Sequence, residues 1–154
     1  MAQTTEMLPN GLKLLQDDRF FKLGQDSVLL SAFAKPRRNA KLLDLGCGTG
    51  ALALLVWRPD LKITGIELQE GPLDLFRQSI AENGLENVAA MQGDLRQMRT
   101  LLPHGSIDYV ICNPPYFDRT AGANAPTAEK RTARQDASCS VEELAVAASF
   151  VLHT

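Results

Sequence analysis

Short apolar segments alternate with longer amphipathic segments along the chain after residue 40. The apolar segments predict strands near 41–45, 61–67, 87–91 and 107–112. Apolar positions at helical spacing predict helices near 51–57, 70–83, 95–101 and 141–152. This alternation predicts a parallel sheet with right-handed crossovers and a ligand crevice at the carboxyl ends of the strands. The chain contains no internal repeat.

A glycine-rich turn follows the first of these strands, in Asp44-Leu45-Gly46-Cys47-Gly48-Thr49-Gly50. Between a strand and a helix, such a turn lets the backbone approach a ligand closely at the electropositive end of the helix. Gly46, Gly48 and Ala51 also match the dinucleotide-binding pattern, so a nicotinamide enzyme is an alternative. Asp44 argues against it, because a carboxylate at the strand end repels a pyrophosphate and suits the ammonium group of an amino-acid ligand.

Acidic residues also follow the second and third predicted strands. Glu67 is placed to accept both ribose hydroxyls of an adenosine, and Asp94, in Gln92-Gly93-Asp94, could accept the exocyclic amine of its adenine. Each acid could instead cap the helix that follows it. Three acids at three successive strand ends, together with the glycine turn, favour one ligand site over three separate helix caps.

The motif Asn113-Pro114-Pro115-Tyr116 follows the fourth predicted strand and is the most informative stretch of the chain. Methylation of a planar nitrogen needs residues of these types. A side-chain amide and a backbone carbonyl can hold the hydrogens of an –NH2 group, two prolines stiffen the turn, and an aromatic ring can stack on the base or amide plane. The alternative is a rigid turn after a strand.

Together these motifs resemble those of class I S-adenosylmethionine-dependent methyltransferases that methylate amino groups, over essentially residues 20–152. Within that superfamily the chain is most similar to the bacterial tRNA1(Val) (adenine(37)-N6)-methyltransferase family. The finer match rests on segments 20–30 and 113–117 and on Ala133-Arg134-Gln135-Asp136. This chain has Gln135 where relatives often carry histidine.

The resemblance implies an α/β, Rossmann-like class I methyltransferase fold, with a mostly parallel sheet flanked by helices. We expect residues 1–40 to form an N-terminal segment that covers the cofactor site, and residues 41–154 to form the methyltransferase core. The family continues into further strands beyond the last helix, so we expect a C-terminally truncated core with about four of the family's seven strands.

The resemblance also implies roles for individual residues. Asn113, Pro114 and Tyr116 would be catalytic, the first two accepting the hydrogens of the target amine and the third stacking on the base. The residues expected to bind S-adenosylmethionine are Gly24, Asp26, Ser27, Asp44, Gly46, Cys47, Gly48, Gly50, Glu67, Leu68, Gly93, Asp94 and Asn113. The residues expected to contact the substrate are Pro115, Phe117, Arg131 and Arg134. No metal is implied.

The composition is that of an ordinary globular domain, because 154 residues can bury one core and 45% hydrophobic with 22% charged residues are usual values. No apolar run approaches the ~20 residues that span a bilayer, and the first residues carry no signal-peptide pattern. Cys47, Cys112 and Cys139 lack metal-ligand spacing and are interpreted as reduced thiols that fill small spaces. We therefore expect a cytoplasmic protein.

A net charge of −2 means that any nucleic-acid contact must be local. One basic cluster precedes the first predicted strand and consists of Lys35, Arg37, Arg38 and Lys41. A second follows the Asn-Pro-Pro-Tyr motif and consists of Arg119, Lys130, Arg131 and Arg134. Charged runs are usually solvated faces, but the second cluster lies beside the place where the target base must enter, and we expect it to contact RNA.

The motif thus predicts methyl transfer to an –NH2 group, and the resemblance implies S-adenosylmethionine as donor and the exocyclic N6 of an adenine in tRNA, adenine 37 of a valine tRNA, as acceptor. Two alternatives use the same motif: a protein methyltransferase that acts on a glutamine side-chain amide, and a DNA N6-adenine methyltransferase. From a different class, the chain could be a cofactor- or RNA-binding fragment without turnover. The sequence leaves the oligomeric state open.

Overall fold

The computed structural model describes residues 2–113 and 140–153. A hairpin and one helix precede a unit in which strands and helices alternate. The first part comprises β1 (Gln3–Met7), β2 (Lys13–Asp17) and α1 (Gln25–Phe33). The alternating unit comprises β3 (Lys41–Leu45), α2 (Ala51–Leu55), β4 (Lys62–Glu67), α3 (Glu70–Glu82), β5 (Val88–Gln92), a 3-10 turn (Leu95–Gln97), α4 (Met98–Leu101), β6 (Tyr109–Cys112) and α5 (Val141–Val151).

The central sheet is parallel, and its strand order in the described part of the chain is β5-β4-β3-β6. Asp44 pairs with Gly65 of β4 and with Ile111 of β6, and Glu67 pairs with Gln92 of β5. The four carboxyl ends therefore meet at one edge of the sheet. The predicted α/β class and parallel sheet are confirmed, and the predicted strands and helices all form, with ends that differ by at most two residues.

Helices cover both faces of this sheet, which explains why β3 is apolar along most of its length. Leu42 belongs to the core cluster beneath α2 and α3, together with Phe76. Leu43, on the opposite face, belongs to the cluster beneath α4 and α5, together with Val151. A strand in the middle of a parallel sheet meets apolar neighbours on both sides, so it is hydrophobic without alternation. Asp44 is the one exception within β3 that is buried and polar.

The hairpin of β1 and β2 was not predicted from the hydrophobic pattern. Its signal is Asn10-Gly11, since Asn-Gly between strands favours a tight reversal and Gly11 has a φ of 86°. The hairpin is attached to the alternating unit by β2, whose Leu15 N–H donates to the hydroxyl of Ser79 in α3 at 2.9 Å. The amide of Asn10 donates to the carbonyl oxygen of Leu54 at 2.8 Å. β1 is exposed along its whole length.

α1 runs against the strand direction and packs beside α2. Near its start, the hydroxyl of Ser27 meets Asn113, which follows β6. Just after its end, the N–H of Lys35 donates to the phenol oxygen of Tyr109, the first residue of β6, at 3.2 Å. α1 therefore begins at the carboxyl edge of the sheet and ends at the amino edge. In residues 2–113 and 140–153, no helix combines the length and apolarity that a membrane span requires.

A further parallel pairing extends the sheet beyond β6. The N–H of Ile107 donates to the carbonyl oxygen of Val151 at 2.8 Å, and the N–H of His153 donates to the carbonyl oxygen of Ile107 at 3.0 Å. These bonds pair Ile107 with Leu152, the residue directly after α5. The chain after α5 therefore runs parallel to the rest of the sheet.

Candidate active site

The carboxyl edge of the sheet brings together the polar residues that the sequence placed at strand ends. Leu45 pairs with both Ile66 and Cys112, so the glycine turn after β3 lies between Glu67 of β4 and Asn113 after β6. The turn is tied to β4 because the N–H groups of Gly46 and Cys47 both donate to the carbonyl oxygen of Ile66, at 2.8 and 3.0 Å. The acids and the turn thus share one crevice.

The three glycines of the turn have different surroundings. All three adopt positive φ, at 68° for Gly46, 54° for Gly48 and 86° for Gly50, a conformation that side chains disfavour. A Cβ added to Gly46 or Gly48 would meet no atom within 4 Å, whereas one added to Gly50 would lie 2.0 Å from the ring of Phe76. Gly46 and Gly48 therefore leave open space for a ligand, and Gly50 lets the turn pack on the core.

Glu67 links the turn to the start of α3. Its Oε1 accepts a hydrogen bond from the N–H of Gly48 at 3.0 Å, and its Oε2 accepts one from the N–H of Gln69 at 2.9 Å. Burial raises the pKa of this carboxyl, and the backbone N–H groups of Gln69, Gly48 and Leu68 partly oppose that effect. A carboxylate offers about four acceptor sites, and these three N–H groups leave acceptor capacity for a ligand hydroxyl.

Asp44 lies beneath the turn and is only 1% exposed. The N–H of Ala53, in α2, hydrogen-bonds to its carboxyl group, while Oδ2 has no hydrogen-bond partner in the described part of the chain. Burial, and next the charge of Glu67, raise the pKa of Asp44 to about 8. A cation nearby would lower this pKa and favour the ionised carboxylate, which fits the ammonium group predicted for the ligand. Because Asp44 is enclosed, it would act on that group across the turn or through a water molecule.

Asp94 is engaged by a neighbour. Both of its carboxylate oxygens accept hydrogen bonds from the guanidinium of Arg96, the shortest at 2.7 Å, and Oδ1 also accepts from the N–H of Arg96. This pairing holds the pKa of Asp94 below its usual range. The carboxylate therefore caps the 3-10 turn, as the alternative interpretation allowed, and its contact with an adenine amine stays a prediction. Packing explains the glycine at position 93, because a Cβ there would lie 2.7 Å from the side chain of Leu101.

The segment before α1 crosses the same edge of the sheet. Phe20 is buried against Gly71 in the first turn of α3, where an added Cβ would lie 2.5 Å from its ring. Gln16, also buried, accepts a hydrogen bond from the N–H of Leu23 at 2.7 Å. From there the chain reaches Ser27, whose hydroxyl lies against Asn113. It therefore passes from the β4 side to the β6 side, and its covering of a cofactor stays a prediction.

Gln16 and Gly71 are positioning residues that the sequence did not reveal. Gln16 lies in a strand that the pattern did not predict, and the packing of Phe20 on Gly71 joins positions that are far apart in the chain. An available signal is that Gly71 interrupts the first turn of an otherwise regular helix. Of the predicted cofactor residues near α1, Gly24 and Asp26 are exposed and Ser27 is buried.

Asn113 is the one residue of the Asn-Pro-Pro-Tyr motif that the structure describes. It is half-buried, and its side-chain Nδ2 donates a hydrogen bond to Ser27 Oγ at 3.1 Å. The predicted catalytic and substrate residues outside the part that the structure describes are Pro114, Pro115, Tyr116, Phe117, Arg131 and Arg134. Arg119 and Lys130 of the second basic cluster, Gln135 and Cys139 also lie outside it. Whatever the sequence predicts for these residues stays a prediction.

The cysteines near the crevice belong to the core. Cys47 is buried, its sulfur would be 2.8 Å from a Cβ on Gly65, and burial raises the pKa of its thiol. Any ligand contact of Cys47 would therefore be made by its backbone. Leu68 is half-buried beside Glu67, and its contact with the ligand stays a prediction. The described residues contain no group of three or more His, Cys, Asp or Glu that could hold a metal ion.

The first basic cluster lies at the opposite, amino edge of the sheet, at the end of α1 and the start of β3; we call it the amino-edge cluster (Lys35, Arg37, Arg38 and Lys41). Asp108 partly neutralises it, accepting a hydrogen bond from the N–H of Lys41 and forming an ion pair with the guanidinium of Arg37, both at 2.8 Å. These contacts hold the pKa of Asp108 below its usual range. Because the cluster lies at the amino edge and Asn113 at the carboxyl edge, the length of a strand separates them.

The family model of the methyltransferase small domain matches residues 24–135, which include the glycine turn, the three strand-end acids and the Asn-Pro-Pro-Tyr motif. The chain belongs to this family. Its similarity to individual relatives extends over most of the chain. A tRNA1(Val) (adenine(37)-N6)-methyltransferase of Shewanella sp. (strain W3-18-1) is 35% identical over 126 residues, which are 79% of this chain and 52% of that protein.

A second relative of the same name, from Pseudoalteromonas translucida (strain TAC 125), is 32% identical over 114 residues, which are 73% of this chain and 48% of that protein. This methyltransferase small domain therefore spans about half the length of the relatives it matches. Among solved structures, the M. jannaschii tRNA m1G37 methyltransferase superposes with a TM-score of 0.61 at 19% identity, over 97% of this chain and 40% of that one. That likeness confirms the Rossmann-like methyltransferase fold.

Proposed function

We propose that this protein transfers a methyl group from S-adenosylmethionine to the exocyclic N6 of an adenine in tRNA, with adenine 37 of a valine tRNA as the specific target. The observation that carries the proposal is the position of Asn113. It follows β6 at the carboxyl edge of the sheet, beside the glycine turn and across it from Glu67. The names of the two bacterial relatives support the same acceptor.

The crevice fits S-adenosylmethionine in three respects. Gly46 and Gly48 leave space against the turn, Glu67 keeps acceptor capacity for a ribose hydroxyl, and an ammonium group near Asp44 would favour ionisation of its buried carboxyl. When bound, this cofactor supplies an activated methyl group on a sulfonium centre. The remaining contribution of the protein is to hold the acceptor nitrogen in line with the methyl–sulfur bond of the cofactor.

Asn113 meets the main chemical difficulty of this reaction, which is that the exocyclic amine is a poor nucleophile because its lone pair is delocalised into the ring. An acceptor aligned with one N–H bond favours a pyramidal nitrogen, whose lone pair is then available. The carbonyl oxygen of Asn113 provides one acceptor, and the backbone carbonyl of Pro114 is proposed as the second. Tyr116 is proposed to stack on the base once it has left its stacked position.

The arginines after the motif are the proposed RNA contacts. Arg131 and Arg134 follow the catalytic residues in the sequence, and both lie within the family match, which ends at residue 135. The amino-edge cluster is the less suitable alternative, because it lies at the far end of the strands and Asp108 engages one of its arginines. Target base and phosphate contacts must be made by one RNA molecule, which favours the arginines near the motif.

The acceptor is tested by incubating the 154-residue chain and labelled S-adenosylmethionine with tRNA, DNA and protein extracts of a strain that lacks the gene. We expect label in N6-methyladenosine of tRNA. Label in glutamine or in DNA would replace the proposed acceptor with one of the two alternatives. Asn113→Ala should lower turnover by roughly a hundredfold or more and leave cofactor affinity nearly unchanged, because the lost acceptor matters most in the transition state. A normal rate in this variant would contradict the assignment of the motif.

A further inference from the structure

We infer that Ser27 is a positioning residue that determines which end of the Asn113 amide faces the acceptor amine. The inference rests on the proposed function, and it assigns Ser27 a different role from the cofactor contact that the sequence predicted. The hydroxyl of Ser27 accepts the hydrogen bond from Asn113 Nδ2 at 3.1 Å, and the two residues are 86 positions apart in the chain.

The side-chain amide of asparagine has a donor end and an acceptor end, and a rotation about its last bond exchanges them. An acceptor –NH2 group needs the carbonyl end, since the amide –NH2 end would place donors against donors. In the structure the donor end is engaged by Ser27, so the carbonyl oxygen Oδ1 is the end left for the substrate. Because a serine hydroxyl can donate as well as accept, Ser27 fixes this orientation while its own proton points away from Asn113; without Ser27, neither orientation of the amide is held in the free enzyme.

Ser27 is well placed for this role because it is itself fixed. It lies in the first turn of α1, is 8% exposed, and is the one buried residue of that helix. The chain that leads into α1 is held by the hydrogen bond from the N–H of Leu23 to Gln16, a buried residue of β2. Gln16 is in turn fixed by donating from Nε2 to Glu6 at 2.6 Å. The hairpin thus anchors the helix that holds Asn113.

The hydrogen bond itself is tested by NMR on the 15N-labelled chain. The side-chain amide signals of Asn113 are assigned by their absence from the spectrum of Asn113→Ala. We expect Ser27→Ala to shift these signals, and Ser27→Thr, which keeps a hydroxyl, to leave them near their original positions. Ser31→Ala is the matched control, because Ser31 lies in the same helix and its hydroxyl donates to the carbonyl oxygen of Val28. Unchanged Asn113 signals in Ser27→Ala would overturn the inference whatever the activity.

The positioning role is tested by kinetics on tRNA. Ser27→Ala should lower kcat by about tenfold, as expected for the loss of one hydrogen bond that orients a reacting group, with the dissociation constant of S-adenosylmethionine unchanged. Ser27→Thr should restore most of kcat, and Ser31→Ala should behave as the parent. In the background of Asn113→Ala, replacement of Ser27 should have no further effect, because the two residues act as one unit. Alanine favours helix, so Ser27→Ala should fold, and thermal unfolding verifies it.

The outcomes separate the inference from the proposed function. If the parent chain methylates no adenine, the proposed function fails, while the Asn113 signals still decide whether Ser27 holds the amide. If adenine is methylated and Ser27→Ala keeps its kcat, the proposed function stands and the positioning role is overturned. If Ser27→Ala weakens cofactor binding and leaves the Asn113 signals unchanged, Ser27 is the cofactor contact that the sequence predicted.

Discussion

Replacing Gly50 by alanine should destabilise the fold far more than the same change at Gly48, two residues earlier in the same turn. Both glycines have positive φ, 86° and 54°, so both variants carry backbone strain. They differ in the space around the new methyl group. At Gly50 it would lie 2.0 Å from the ring of Phe76, which is fully buried, and at Gly48 it would meet nothing within 4 Å.

The expected magnitudes follow from these two terms. A left-handed conformation costs an ordinary residue about 1–2 kcal/mol. Overpacking against a core side chain that cannot move freely costs a further ~1–3 kcal/mol. Gly50→Ala should therefore lower the free energy of unfolding by about 2–5 kcal/mol, and Gly48→Ala by only about 1–2 kcal/mol. For a domain whose total stability is of the order of 5–15 kcal/mol, the first loss is severe.

Urea denaturation followed by circular dichroism measures both losses, and calorimetry measures S-adenosylmethionine binding by each folded variant. Gly48→Ala should weaken cofactor binding more than it weakens the fold, because its new methyl group enters the space assigned to the ligand. Equal losses of stability at Gly48 and Gly50, within about 0.5 kcal/mol, would show that Phe76 does not limit the turn. Full cofactor affinity in Gly48→Ala would show that the open space beside the turn is not the binding surface.

Three further results are expected. Glu67→Ala should weaken S-adenosylmethionine binding by about 1.5–3 kcal/mol, the range for hydrogen bonds to a charged group; unchanged affinity by calorimetry, or tight binding of NAD by the parent, would restore the dinucleotide alternative. Asp44 has a pKa raised from 3.8 to about 8 in the fold, so its contribution to stability is complete below pH 4 and is lost as the pH rises toward 8. Asp44→Asn should therefore gain stability relative to the parent by roughly 4 kcal/mol over three pH units, at ~1.4 kcal/mol per unit, and a difference that does not vary with pH would contradict the burial of this carboxyl. Changing Arg131 and Arg134 together to alanine should reduce the slope of log K for tRNA binding against log salt concentration by about two, and should leave cofactor binding unchanged. The same change at Arg37 and Arg38 of the amino-edge cluster should leave that slope unaltered. The reverse result would place the RNA at the amino edge.

The alternating strands and helices were predictable because each depends on a pattern only a few residues long. β3 is apolar since neighbours cover both of its faces, and the helices that follow the strands repeat apolar residues every three or four positions. The hairpin escaped prediction because β1 is exposed along its whole length, so no hydrophobic alternation marks it. β2 packs against α3, a contact between distant segments that the local pattern does not contain.

The candidate site also has features that the sequence predicted and features that only the structure shows. The identity of the glycine turn, of the strand-end acids and of Asn113 follows from motifs, and a parallel sheet places them all at one edge whatever the details of packing. Their individual contacts were not accessible. Asp94 could bind a ligand or cap a turn, and only the position of Arg96 shows that its oxygens are engaged.

By itself, then, the sequence determined the fold class, the edge of the sheet that carries the site and the kind of chemistry the motif suits. The tertiary structure decided that Gly50 serves the core while Gly48 faces open space, that Asp44 is enclosed with one oxygen unpaired, and that Ser27 holds Asn113. The physical reason is the distance along the chain over which each kind of interaction acts. Periodicity and turn chemistry act between near neighbours in the chain, whereas burial and hydrogen bonds between distant segments exist only once the helices have packed on the sheet.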